Sequence, residues 1–122
     1  MGVDQRLRLG AGVTTILAAT FPTALVGATL ASVQTLTELT VSMLGNAANP
    51  AGSVVTFQVY KNGVAVAGAN LTLAADISVF VPQIGSSAFS EVCAVGDVIT
   101  VGFVSAGAGP NCAFNNPSAT VQ

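Results

Sequence analysis

The chain predicts an all-β fold in which two antiparallel sheets pack face to face, and three observations carry that expectation. Apolar and polar residues alternate with a period of two along several short runs. Turn residues, Asn62-Gly63 the strongest among them, break those runs at short intervals. No segment sustains a helical period, so a single domain built as a two-sheet sandwich or a barrel is the architecture that fits.

Taken in order, residues 3–9 alternate, with Val3, Leu7 and Leu9 on one side and Asp4, Arg6 and Arg8 on the other, the pattern of a half-buried strand. Gly10 and Gly12 end that run. This divides the chain into an N-terminal extended arm (1–12) and a sandwich domain (13–122). The arm is expected either to be the first strand of its own domain or to dock through Val3, Leu7 and Leu9 on the open sheet edge of a neighbouring copy. Residues 13–20 are β-branched and apolar, a strand pattern, and Pro22 marks a turn or an edge. Residues 25–30 read as a short strand with Gly27 as a bulge. The longest alternation covers 32–44, with Val33, Thr35, Thr37, Leu39, Val41 and Met43 on one face and Glu38 on the other. Helix is the rival reading for part of 16–44, opposed by the threonines and Pro22.

Residues 45–53 form a loop, and 54–60 a strand with Val55, Phe57 and Val59 facing one way. Asn62-Gly63 suits the two positive φ angles of a type I′ turn, so 54–61 and 64–67 pair as a hairpin. A second turn is expected at 68–70, followed by strands over 71–74 and 77–81, the latter stopped by Pro82. Residues 85–87 read as a loop, 98–104 as a strand entered through Val95-Gly96-Asp97, 105–117 as an irregular connection, and 118–122 as a closing edge strand.

Composition restricts function. None of the 122 residues is histidine, 7% are charged and 52% are hydrophobic, which removes most of the groups used for proton transfer, metal binding and nucleophile activation. Three Lys+Arg against five Asp+Glu argue against nucleic acid, whose phosphates call for clustered cations. The same balance argues against attraction to an anionic membrane. Residues 9–37 carry no charge, yet Pro22 and residues such as Thr14, Thr15, Thr20, Thr23, Thr29 and Ser32 interrupt them, so no membrane span is expected. Arg6 and Arg8 ahead of 13–19 also fit a signal peptide. The segment follows Met1 in this chain, and assembly without secretory cleavage is the expectation.

Site chemistry is sparse. Asp4, Glu38, Asp76, Glu91 and Asp97 are scattered, and Asp76 and Asp97 adjoin turns, where Asp bonds backbone. Lys61 abuts the Asn-Gly turn and is expected to be exposed. No metal and no cofactor are expected. Cys93 and Cys112 lack C-x-x-C spacing, which leaves an internal disulfide, an intersubunit disulfide and two free thiols open. Asn70-Leu71-Thr72 fits the glycosylation pattern, one short enough to arise by chance. The six Phe and one Tyr read as core or subunit-contact residues.

Residues 54–64 (VVTFQVYKNGV), a turn and polar strand, and then 94–101 (AVGDVITV) resemble the jelly-roll module of the tumour necrosis factor and complement globular-head superfamily. The likeness is strongest to bacterial versions on spore surfaces, in exosporium collagen-like glycoproteins and their basal-layer partners, and to spore-appendage proteins. It covers roughly residues 25–104. It implies a ten-strand jelly roll, association into a trimer or polymer, and a place in a surface coat or appendage with, in some cases, an anchoring surface protein. No Gly-x-y collagen segment precedes the domain here, and residues 113–122 lack that family's strongly apolar last strand.

The expected function is therefore a non-catalytic structural subunit that assembles with copies of itself at a cell, spore or particle surface. The rivals are a viral capsid decoration or head-fibre protein and a carbohydrate-binding module, the last disfavoured by few aromatics and no Trp.

Overall fold

The computed structural model describes residues 13–16, 23–78, 80–107 and 112–122. Eight strands follow one another: β1 (Val13–Ile16), β2 (Thr23–Thr29), β3 (Gln34–Leu44), β4 (Ser53–Lys61), β5 (Val64–Ala74), β6 (Pro82–Cys93), β7 (Val98–Gly107) and β8 (Cys112–Val121). They form two four-stranded antiparallel sheets, ordered β1-β8-β3-β6 and β2-β7-β4-β5. Strands that follow one another in sequence therefore mostly lie in opposite sheets. Only the β4–β5 hairpin joins neighbours, and this is the double Greek key of an eight-strand jelly roll. The extended arm predicted over 1–12 lies outside the described residues.

The inner faces supply one core. Leu36, Leu39, Val41, Met43, Phe114, Ala119 and Val121 of the first sheet meet Val55, Phe57, Val59, Ile99, Val101 and Phe103 of the second, all buried. Phe57, Phe103 and Phe114 pack as a triad with ring centroids 5.2–6.4 Å apart, two of the three contacts edge to face, the arrangement the ring quadrupole favours.

Bulges account for most of the differences from the sequence pattern. The Thr37 and Glu38 amides both donate to Gln122 O (2.7 and 2.9 Å), so one residue of β3 is extra and the alternation changes phase. Leu36 is buried, whereas Val33, Thr35 and Thr37 face solvent rather than sharing the face of Leu39, Val41 and Met43. In β2 the register shifts between Ala24 and Val26, not at Gly27. Residues 68–70 do not end a strand. They belong to a bulge in a continuous β5, where Val59 stands opposite residues 66–69 and Gly68 takes φ 75°. The Gln58 amide fills that bulge, with Nε2 donating to the carbonyls of Val59, Val66 and Ala69 (2.7, 2.8 and 3.2 Å).

Two stretches change class. Ile77 and Ser78 lie in a connection and Val81 in a bend, while β6 starts at Pro82 and runs straight through the predicted loop at 85–87. A Cβ on Gly85 would meet Leu73 Cδ2 at 3.0 Å, so this glycine marks close approach of the two sheets rather than a turn. Residues 112–117 are strand, not irregular chain. Asn116 and Pro117 fall in a register shift between Ser42 and Leu44, where a proline deprives the ladder of no donor.

Candidate self-association surfaces

The register defines two ends. At one, the hairpin end, Thr29 pairs with Val98, Lys61 with Ile99 and Gln34 with Cys93. At the other, the loop end, Leu44 pairs with Pro82 and Val54 with Ala74, and residues 45–52 and 75–81 make long connections.

The Asn62-Gly63 turn adopts φ 52° and 80°, as the dipeptide predicts. Asn62 Oδ1 accepts from the Val98 amide (2.9 Å), and Asn62 Nδ2 donates to Asp97 Oδ1 (2.9 Å). Asp97 Oδ2 accepts from the Ala94 amide (2.8 Å). That backbone bond, and then the Asn62 amide, hold the Asp97 carboxyl below the usual carboxylate range against partial desolvation. At the loop end, Asp76 Oδ2 accepts from the Gly52 amide (2.7 Å). Both aspartates thus bond loop backbone.

Lys61 corrects the expectation of a free, exposed cation. It lies on the inward-facing side of β4, and its ammonium reaches across to β6, pairing with Glu91 and donating to Val92 O (3.2 Å). The hydrogen bond to Glu91 raises the Lys61 pKa. Nearby, the Ser87 hydroxyl donates to Gly68 O (2.8 Å), a second tie between the two sheets, this one joining the edge strands β6 and β5. Lys61 is the only cation among the described residues, and it is paired.

Cys93 is a free thiol, 1% exposed, with Sγ 3.6 Å from Glu91 O, and burial pushes its pKa up. Cys112 opens β8 against Ile16, past Asn115, which pairs with Leu44 at the loop end. The length of β3 separates the two backbones by about 30 Å, far beyond the reach of a disulfide. Of the three arrangements left open by the sequence, the internal bridge is the one this fold does not form. The proposed docking residues Val3, Leu7 and Leu9 lie outside the described residues.

The outer faces carry short hydroxyl side chains. On the first sheet Thr40 is flanked by Ser86 and Thr120, and Ser42 by Ile84 and Ser118, with Thr40 Oγ1 3.2 Å from Ser86 Oγ. On the second, Thr56 and Thr72 hydroxyls lie 2.9 Å apart. Glu38 is the one charged residue among the described strand positions that shares these outer faces. Large exposed apolar side chains lie toward the two ends: Val33, Val64, Val92, Val95 and Val98 toward the hairpin end, and Phe80, Val81 and, on the outer face of β6, Ile84 toward the loop end. Phe80, 90% exposed, is the fully exposed phenylalanine among the described residues, and composition gave no sign of it. No group of three His, Cys, Asp or Glu occurs among the described residues, and no described helix is long and apolar enough to cross a membrane.

No sequence family matches the chain, and no characterised protein matches it in sequence. Solved structures do share its fold. The VP2 subviral particle of infectious bursal disease virus aligns with a TM-score of 0.60 at 8% identity, over 98% of this chain and 32% of that one. The structure of the Gx strain of the same virus aligns with a TM-score of 0.51 at 13% identity, over 98% and 33%. Dimeric latent PorU from Porphyromonas gingivalis aligns with a TM-score of 0.50 at 9% identity, over 97% and 12%. The chain thus spans about a third or less of the length of these structures. At such identities the likeness establishes the fold alone, an all-β jelly-roll sandwich.

Proposed function

We propose that this chain is a non-catalytic structural subunit that assembles with copies of itself into a particle shell or decoration, the viral-particle reading standing ahead of the spore-surface one. The observation that carries the proposal is the pair of outer sheet faces. Among the described residues they carry Thr and Ser beside apolar side chains and almost no charge, so copies can pack without burying unpaired ions. The shared fold with the VP2 subviral particle supports the particle setting. The resemblance of residues 54–64 and 94–101 to spore-surface modules supports the same kind of work at a different surface, which makes it the second reading.

Electron microscopy and light scattering of the purified full chain test the proposal. Ordered multi-subunit assemblies of the chain alone are expected. A monomer that persists at every concentration, or one that binds a glycan panel as a monomer, overturns it. Closed particles favour the viral reading, and fibres the appendage one.

A further inference from the structure

Of the chain's asparagines, only Asn62 precedes glycine. In that pairing the side-chain amide lies next to a main-chain nitrogen that no Cβ shields, which leaves it open to cyclisation. Both residues are exposed, and a Cβ on Gly63 would meet nothing within 4 Å, so water reaches the turn freely. Yet the same amide is held by both of its polar atoms. Oδ1 accepts from the Val98 amide and Nδ2 donates to Asp97 Oδ1, each at 2.9 Å, an ordinary hydrogen-bond length. The anchors are themselves fixed: Asp97 Oδ2 accepts from the Ala94 amide (2.8 Å), and Val98 O accepts from the Asn62 main-chain amide (2.8 Å).

We propose that Asn62 is a deamidation site held in check by its bonds to Asp97 and Val98, so that the modification advances only while the hairpin end is open. The inference does not depend on self-assembly.

The chemistry needs water alone. The Gly63 nitrogen attacks Asn62 Cγ. The side-chain NH2 leaves with the proton of that nitrogen as ammonia, and a succinimide ring closes. Water then opens the ring at either carbonyl. One opening leaves aspartate at position 62, the other an isoaspartate whose main chain runs through the former side-chain carbon. The fold opposes the first step. Cγ carries both anchored atoms, so it approaches the Gly63 nitrogen only after the ties across to residues 97 and 98 release. Nor does Asp97 help ammonia to leave. The Ala94 amide and then Asn62 hold its carboxyl in the ionised form, which is no proton donor.

The product is held less well than the amide it replaces. A carboxylate at position 62 still accepts from Val98, but it has no Nδ2 hydrogens to give Asp97. Two like charges then face each other where a hydrogen bond had spanned 2.9 Å. The change is one-way, so a chain that has opened and reacted keeps a weakened hairpin end.

The test uses the full chain, incubated at mildly alkaline pH well below its melting temperature. Product is read by mass spectrometry of the peptide that carries Asn62 and Gly63, and by enzymatic methylation of isoaspartate. Because two hydrogen bonds must break first, folded wild type should react roughly tenfold or more slowly than wild type unfolded in denaturant. Asp97→Ala removes one of the two bonds, and its folded form should react roughly fivefold faster than folded wild type. Gly85→Ala strains the sheet contact at Leu73 without touching these bonds, and it should react at the wild-type rate. Where Asp97→Ala melts too low to be read, exchange of the wild-type Val98 amide supplies the comparison, and deamidation should track it across temperature. Asn62→Asp, which stands for the product, should melt below wild type at neutral pH, with a difference that narrows as pH falls through the carboxylate range. Four results overturn the inference: folded wild type reacting as fast as unfolded, Asp97→Ala reacting no faster than wild type, Gly85→Ala accelerated as much as Asp97→Ala, or deamidation independent of Val98 exchange. An Asn62→Asp chain as stable as wild type overturns the weakened end.

Discussion

At the hairpin end, connections of two to four residues are held by side chains and main chain together: Asn62 and Asp97 side chains between them bond the Ala94 and Val98 amides and each other, and the Leu30 amide donates to the Asp97 main-chain carbonyl (2.8 Å). At the loop end, the connections of residues 45–52 and 75–81 use side-chain and main-chain bonds alike, and there the main chain also comes into close approach at Gly45. The Asn46 amide and Asn49 Nδ2 both donate to Ala75 O (2.9 and 2.7 Å), and the Ala75 amide donates to Ser53 O (2.8 Å). The ends differ in room: a Cβ on Gly63 or Gly96 at the hairpin end would meet nothing within 4 Å, whereas one on Gly45 at the loop end would meet main chain. Damage at the loop end should therefore come from added bulk, and damage at the hairpin end from removed polar groups.

The largest expected effect is at Gly45. A Cβ there would lie 2.8 Å from both Ala75 O and Ile77 O, backbone atoms with no freedom to swing aside. Gly45→Ala should cost about 2–3 kcal/mol in denaturant unfolding, the upper part of the range typical of overpacking. Gly85→Ala is the control: its nearest neighbours are Leu73 and Leu71 methyl groups, which can yield, so the loss should be smaller. Equal losses at both sites would mean that side-chain crowding, not main-chain approach, governs the loop end.

Next comes Asn62. Asn62→Ala removes two side-chain hydrogen bonds and places a Cβ-bearing residue without local polar compensation at φ 52°, for a loss of about 1–2 kcal/mol. Asn62→Gly removes the same bonds but relieves the backbone, so it should fall between the wild type and Asn62→Ala. If the two variants are equal, the side-chain bonds carry the whole contribution of the turn.

The same contrast explains what the sequence could reveal. Asn62-Gly63 and Gly96-Asp97 are local signals, read within two residues, and the turns they announced are present. The strands of the two-sheet sandwich, the inward set Val55, Phe57 and Val59 and the turn-bonding aspartates were legible for the same reason. Gly45 and Gly85 act through residues thirty and twelve or more positions away in the chain, and a glycine gives no local sign of whether it turns or admits a neighbour. The β3 bulge depends on Gln122 at the far terminus, and the phase of Val33, Thr35 and Thr37 therefore could not be read from residues 32–44. Lys61 misled because its partner, Glu91, is on another sheet. The exposed apolar residues misled most, since Val, Ile and Phe composition predicts burial, and only the fold shows that eight such residues among the described ones are left outside.

The smallest effect separates the ends by pH. Hydrogen bonds from the Ala94 amide and then Asn62 hold the folded Asp97 carboxyl below its unfolded value of about 3.9. Its contribution to stability is therefore present above that unfolded value and is lost as pH falls through the folded one. Lys61 carries the opposite sign: its pKa is raised by Glu91, so its contribution is present below the unfolded value of about 10.4 and is lost as pH rises through the folded one. Both groups lie at the hairpin end. In an acid titration followed by amide NMR, the Ala94 resonance should move with a midpoint below the ordinary aspartate value. The Asn46 amide, bonded to the Ala75 carbonyl at the loop end, should not share that transition. Asp97→Asn should abolish the Ala94 transition, because the replacement side chain does not titrate. A midpoint at the ordinary aspartate value would show that the carboxylate is solvated rather than bonded, and the hairpin end would then rest on Asn62 and its backbone bonds alone.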